Sequence, residues 1–93
     1  MDMNDYTLDY GSDLRKIDVE IAAYITVRSQ FGSTSMLQRM MRVGFAKAVA
    51  IVAELERLGI VGPSINGGAQ SRDVLLPVER MTDIRRIVHE GMA

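Results

Sequence analysis

Apolar residues along the chain recur mostly at steps of three and four, the spacing of one helix face, and only briefly at steps of two. Leu14, Ile17, Ile21, Tyr24 and Ile25 form the first such stripe. Ser12 or Asp13 can cap its first turn and Gly32 follows its last, so the pattern predicts a helix over 13–31. Gly32-Ser33-Thr34 interrupts it. Ser35-Met36-Leu37-Gln38 then has the form of a capping box, in which the Ser35 hydroxyl accepts from the Gln38 backbone N–H and the Gln38 side chain returns to that of Ser35. The helix opening here is expected to end near residue 41, because Gly44 marks a turn. Beyond it, Phe45, Ala48, Ile51, Val52, Leu55 and Leu58 keep helical spacing, and Gly59 supplies a left-handed closing residue. A third helix is predicted over 45–58.

Two helices joined by a turn of about three residues containing glycine describe a helix-turn-helix. After the third helix, Ile60-Val61 is stopped by Gly62-Pro63, a polar loop occupies 64–71, and Arg72-Asp73-Val74-Leu75-Leu76 reads as a returning strand before Pro77. The expected hairpin pairs 60–62 with 72–76. Val78, Met81, Ile84, Ile87 and Val88 form one more stripe and predict a last helix over 79–90. The expected fold class is α+β, mostly α: a winged helix-turn-helix of three helices and a two-stranded wing, with an extra C-terminal helix. Its expected divisions are an acidic N-terminal arm over 1–12, where Tyr6, Leu8 and Tyr10 alternate before a Gly11-Ser12 break, a winged-helix body over 13–77, and the last helix over 78–93.

Composition narrows the chemistry. Ninety-three residues, 47% of them hydrophobic, suit one small soluble domain and are too few for two. The lack of cysteine removes disulfides, Cys-based zinc sites and thiol nucleophiles, and implies an intracellular, cytoplasmic setting. No apolar run approaches the roughly 18 residues that cross a bilayer, so no membrane is expected. The formal charge of −1 excludes a uniformly basic tail, yet it hides an uneven distribution. Residues 1–27 carry six acids against two bases, while residues 28–72 carry six bases against two acids. The middle of the chain is its basic part.

Nothing in the sequence supports an enzyme. His89 has only Glu90 beside it and reads as a surface histidine, and Gly67-Gly68 lacks the Gly-Lys-Ser/Thr of a phosphate loop. Glu54 and Glu56, two apart on a helix, face different ways. Met36, Met40 and Met41 read as core filler. No metal and no cofactor is expected.

From Phe31 to Leu76, however, several motifs stand in order: Gln30-Phe31-Gly32-Ser33-Thr34-Ser35-Met36-Leu37-Gln38-Arg39, Arg42-Val43-Gly44-Phe45-Ala46-Lys47-Ala48, Glu56, Gly59-Ile60-Val61-Gly62-Pro63 and Arg72-Asp73-Val74-Leu75. This block resembles the gamma domain at the C-terminus of the FtsK and SpoIIIE DNA translocases, and is most like its actinobacterial versions. The resemblance implies a winged helix that reads short, oriented sequences in double-stranded DNA and contacts the XerD tyrosine recombinase in chromosome segregation and cell division. It implies no motor: a chain of this length without a Walker motif is expected to be the gamma module standing alone, in the manner of a phage or mobile-element protein.

The residues agree on the surface concerned. With Ala48, Ile51, Val52, Leu55 and Leu58 facing the core, the outward positions at the start of the third helix are Ala46, Lys47 and Ala50, where a recognition helix meets base edges. Arg39, Arg42 and Arg72 are expected phosphate contacts, and Thr34 and Ser35 can present donors from the start of the second helix. Ala50 stands where the family often has arginine, and Gln70 lies where relatives tend to carry lysine. Two functions are therefore carried forward: a DNA-binding module, and a protein-interaction module that engages a Xer-type recombinase or the FtsK translocase with DNA secondary.

Overall fold

Helical segments account for most of the chain, and each ends where the backbone leaves the helical region. The computed structural model describes residues 14–68 and 70–93; the expected acidic arm and the Ser12 or Asp13 cap lie outside the described residues. Helix α1 spans Lys16–Ser29, α2 Thr34–Met41, α3 Phe45–Arg57 and α4 Ile84–Gly91. Short 3-10 turns occupy Asn66–Gly68 and Val78–Asp83.

Helix α1 is the hub, packing against α2, α3, α4 and the Val78–Asp83 turn. Its position corrects the reading of its faces. The core side is Val19, Ala22, Ala23, Thr26 and Val27, whereas Ile17 and Ile21, 47% and 43% exposed, look outward. Both sides of this helix are apolar, so hydropathy alone does not choose between them. Size does: alanines at 22 and 23 let neighbouring helices approach closely, which bulky isoleucines on that side would prevent. Against this surface stand Met36 and Leu37 from α2, Ile51, Val52 and Leu55 from α3, Ile84 and Val88 from α4, and Ile60, Val61 and Leu76 from the connecting segments. Leu37, Ile51, Leu55, Ile60 and Ile84 are fully buried, each worth about 1.5–3 kcal/mol over leaving it in water.

The boundaries follow from individual residues. Arg15 is extended and Gln30 is left-handed at φ 54°, so α1 is shorter than 13–31 at both ends. The Gln30 amide donates to the Val27 and Leu76 carbonyls at 2.7 and 3.0 Å, tying the end of α1 to the segment before Pro77. The cap of α2 is Ser33, whose hydroxyl accepts from the Met36 N–H at 3.1 Å, so the expected Ser35–Gln38 capping box does not form. Arg42, not Gly44, takes the left-handed position closing α2, at φ 56°; Gly44 is the extended residue that opens α3. Gly59, at φ 80°, closes α3 as expected, and the Ile60 N–H returns to the Leu55 carbonyl at 2.9 Å.

The expected wing is absent: among the described residues there is no strand and no sheet. The fold is mostly helical, and its β contacts are three isolated antiparallel bridges, Gly32 to Arg72, Val61 to Val74 and Ile65 to Gln70. The returning segment divides its hydrogen bonds between two partners, with the Arg72 N–H donating to the Gly32 carbonyl at 2.9 Å and the Leu75 N–H to that of Ile60 at 2.8 Å. Pro63 has no N–H to offer, and Asn66, Gly67 and Gly68 turn the loop through positive φ, so consecutive rungs never form. Gly32 is needed for this arrangement, since a Cβ there would lie 2.6 Å from the Arg72 carbonyl oxygen. The last predicted helix is likewise divided. Its first half is the 3-10 turn, which leaves helical geometry at Arg80, and only α4 is α-helical.

Ion pairs complete the outer surface. Arg57 pairs with Glu54 and also donates to the Gly91 carbonyl at 2.7 Å, linking α3 to the end of α4. Arg80 donates to Asp83 at 2.8 Å, and this hydrogen bond holds the Asp83 carboxyl below its ordinary value of 3.8. His89, read as a surface histidine, meets Glu20 of α1 at 3.0 Å.

Candidate functional site

Helices α2 and α3, packed on each other and joined by Arg42-Val43-Gly44, place their N-terminal ends on a common side. There a cleft of about 290 Å³ opens between three parts of the chain. From the entry to α2 come Gly32, Ser33, Thr34 and Ser35; from the start of α3 comes Phe45; and from the 64–72 loop come Ser64, Gly68, Gln70, Ser71 and Arg72. Five hydroxyls thus line a cleft at a helix N-terminus, where backbone N–H groups favour an anion. The Gly32–Arg72 bridge holds the loop against the helix and sets its width.

Three of the residues singled out from sequence, Thr34, Ser35 and Arg72, meet in this cleft. Arg72 is already engaged: its guanidinium donates to Glu56 at 2.6 Å and to the Gly62 carbonyl at 3.2 Å. Arg39 and Arg42 are exposed on the second half of α2 and in the turn, outside the cleft, and no described carboxylate lies within 4.0 Å of either. Ala46 is exposed and Ala50 half-buried on α3. Lys47 is diverted. Its ammonium lies 3.4 Å from Asp18 of α1, a carboxylate whose side chain is only 12% exposed and which Arg15 also approaches at 3.5 Å.

The sequence missed one contributor. Phe45 shares the helical spacing of the α3 stripe and is not among the outward positions read from it, yet it is 66% exposed, and Val49, one turn on, is exposed too. Phe45 lies at the edge of the stripe centred on Ala48, Ile51, Val52 and Leu55, and at the first turn of α3 no described residue buries it. The outward side of the first two turns of α3 is consequently apolar, formed by Phe45, Ala46 and Val49, while its far end carries the exposed Glu56 and Arg57. Among the described residues, no helix is long and apolar enough to cross a membrane, and no group of three or more His, Asp and Glu side chains is placed to hold a metal ion.

A helical domain whose second and third helices, joined by a three-residue turn, open together onto a hydroxyl-lined cleft is a small helix-turn-helix module. Residues 19–77 match the FtsK gamma domain family, and the chain belongs to it. It is 44% identical over 87 residues to the DNA translocase FtsK of Corynebacterium efficiens, covering 84% of this chain and 9% of that protein. Against the DNA translocase FtsK of Streptomyces avermitilis it is 44% identical over 80 residues, covering 86% of this chain and 8% of the relative. The DNA translocase FtsK of Mycobacterium tuberculosis strain H37Rv is 49% identical over 74 residues, covering 78% and 8%. The chain thus spans less than a tenth of the length of these relatives.

Proposed function

We propose that the chain binds double-stranded DNA through the side on which α2, α3 and the 64–72 loop meet, and that it acts by binding rather than catalysis. The observation that carries this reading is the convergence of Thr34, Ser35 and Arg72 in one polar cleft at the N-terminus of α2, beside the exposed first turn of α3. The names of the family's relatives, DNA translocases, support it. In this reading the cleft hydroxyls and the α2 N–H groups receive one backbone phosphate, and Arg39 and Arg42 contact others along the strand. Phe45, Ala46, Val49 and Ala50 of α3 enter the major groove. Having no hydrogen-bonding groups, they read it through thymine methyls. Specificity is then modest, toward the low end of the roughly 10³–10⁷ span that separates specific from non-specific binding.

The test is fluorescence anisotropy of a labelled duplex across a salt series. Arg39→Ala and Arg42→Ala should each weaken binding and lower the salt slope by about 0.9, the loss of one phosphate contact. Arg85→Ala and Arg86→Ala, on α4, should leave both unchanged. Equal losses at both sets would mean diffuse attraction and refute the assigned face.

A second reading is favoured by one observation, the exposed Phe45 and Val49 on α3. An apolar patch of this kind also suits a protein partner, and a Xer-type recombinase or the FtsK translocase is the partner class in question. Under it, Phe45→Ser abolishes capture of the recombinase while Arg39→Ala and Arg42→Ala leave capture intact.

A further inference from the structure

Arg72 differs from the other cations of the proposed DNA-binding side in how it is held. Its N–H donates to the Gly32 carbonyl at 2.9 Å and the Gly62 N–H donates to the Asp73 carbonyl at 2.8 Å, so the main chain around it is pinned from two directions. The guanidinium is pinned too, through a single nitrogen. Nη1 donates to Glu56 Oε1 at 2.6 Å and to the Gly62 carbonyl at 3.2 Å, which occupies both of its hydrogens. Nε and Nη2, along the edge that Nη1 does not share, have no hydrogen-bond partner among the described residues. The two N–H groups of such an edge run parallel and match two oxygens of one phosphate. The Arg72 side chain is 20% exposed, so it is ordered without being sealed from solvent.

We propose that Glu56 is a positioning residue for DNA binding: by holding Nη1 it presents the Nε–Nη2 edge of Arg72 to a backbone phosphate at the cleft that Arg72 helps to line. This role rests on the DNA-binding reading and deepens it: Arg72 is engaged on one side only, and the other is kept for the ligand. Order supports it first. An arginine loses much of its rotamer freedom when it grips a phosphate, and for Arg72 that loss is met on folding. Arg39 and Arg42, exposed and paired with no described carboxylate, meet it on binding. Place supports it second: Glu56 belongs to α3 and Arg72 to the 64–72 loop, so the pair fixes the loop's cation relative to the helix proposed to enter the groove. Energy comes third. The Glu56 side chain is 44% exposed, and a pair that open to water adds little to stability, which leaves orientation as its main effect. The sign of that effect is distinctive. An acid beside DNA weakens binding by long-range repulsion, so its removal should tighten binding unless it holds something in place.

The test is the anisotropy salt series on the full chain, each variant measured where its unfolding curve shows it folded. Glu56→Ala and Arg72→Ala should each weaken duplex binding about tenfold and lower the salt slope by about 0.9, the loss of one phosphate contact. The double variant should lose no more than Arg72→Ala alone, because the two residues act as one unit. Glu56→Gln, whose amide oxygen still accepts from Nη1, should recover most of the loss. A second measurement reads the arginine itself: the Arg72 Nε–H resonance should shift when duplex is added to the parent and not when it is added to Glu56→Ala. Tighter binding by Glu56→Ala would overturn the proposal and make the carboxylate a competitor of the phosphate. So would an unchanged slope, additive losses in the double variant, or Glu56→Gln binding as weakly as Glu56→Ala. Arg39→Ala and Arg42→Ala separate the two levels. If they weaken binding while Glu56→Ala does not, only the role of Glu56 falls; if neither they nor Arg72→Ala weaken it, the DNA-binding reading falls with it.

Discussion

Lys47→Met separates structural from DNA-contacting roles on α3, because it keeps the apolar stem of the side chain and removes only the charge. Lys47 sits 3.4 Å from Asp18, whose side chain is 12% exposed and whose one other cationic neighbour among the described residues is Arg15, at 3.5 Å on an arm that is 72% exposed. At an effective dielectric of about 20, two unit charges at this distance attract by roughly 5 kcal/mol. Desolvation of both groups and the ordering of the lysine stem offset most of that, leaving about 1–2 kcal/mol for a partly buried pair. For a domain of this size such a loss lowers Tm by roughly 5–15 °C. The assay is thermal and urea unfolding of the parent, Lys47→Met, Asp18→Asn and the double variant. A coupling energy of about 1 kcal/mol is expected, because removing both partners leaves no unpaired buried charge. Duplex binding, measured where every variant is folded, should keep its salt slope in Lys47→Met. Unchanged stability together with a slope lowered by about 0.9 would show that Lys47 faces a phosphate and that its pairing with Asp18 is not formed in solution.

Arg42→Gly relieves a left-handed residue at φ 56° and should stabilise the fold by about 0.5–1 kcal/mol while weakening duplex binding, opposite signs that unfolding and anisotropy read separately. Gly32→Ala drives a Cβ against the Arg72 carbonyl and should cost about 1–3 kcal/mol in urea unfolding, with amide shifts confined to 30–35 and 70–76. Asp83 has a folded pKa below its unfolded one, held there first by the Arg80 hydrogen bond, so its contribution is present above pH 3.8 and is lost as pH falls through the folded value. Asp83→Asn should therefore reduce the acid dependence of Tm in that window and leave Tm above pH 6 less affected by pH than by the lost hydrogen bond.

Helix α3 was the most legible element, since Ala48, Ile51, Val52, Leu55 and the closing Gly59 all give the same answer from spacing and backbone preference. Helix α1 was legible as a helix but not in its orientation. The larger residues at 14, 17, 21, 24 and 25 make the stronger stripe on paper; Leu14, Tyr24 and Ile25 pack at the edge of the core and Ile17 and Ile21 are exposed, while the smaller residues at 19, 22, 23 and 27 take its centre because close packing selects volume. Ser33 and Ser35 both stand where a cap could form, and the choice falls to Ser33 through the entry of the chain past the Gly32–Arg72 bridge, a contact between distant segments. The wing failed for a similar reason. The apolar runs at 60–61 and 74–76 are visible in the sequence, but not the division of the returning segment between Gly32 and Ile60. For the candidate site, the exposure of Arg39, Arg42 and Ala46 follows the helical period, whereas that of Met40 and Phe45, and the pairing of Lys47 with Asp18 and of Arg72 with Glu56, depend on how helices and loop pack.

The assigned DNA-binding face is tested most directly by amide NMR of the full chain titrated with a short duplex. Resonances of 33–35, 42–50 and 64–72 should move together and saturate together, while those of α4 over 84–91 stay in place. Duplex binding that instead perturbs α4 or the exposed stripe of α1, or a titration that moves no resonance at low salt, would contradict the assignment.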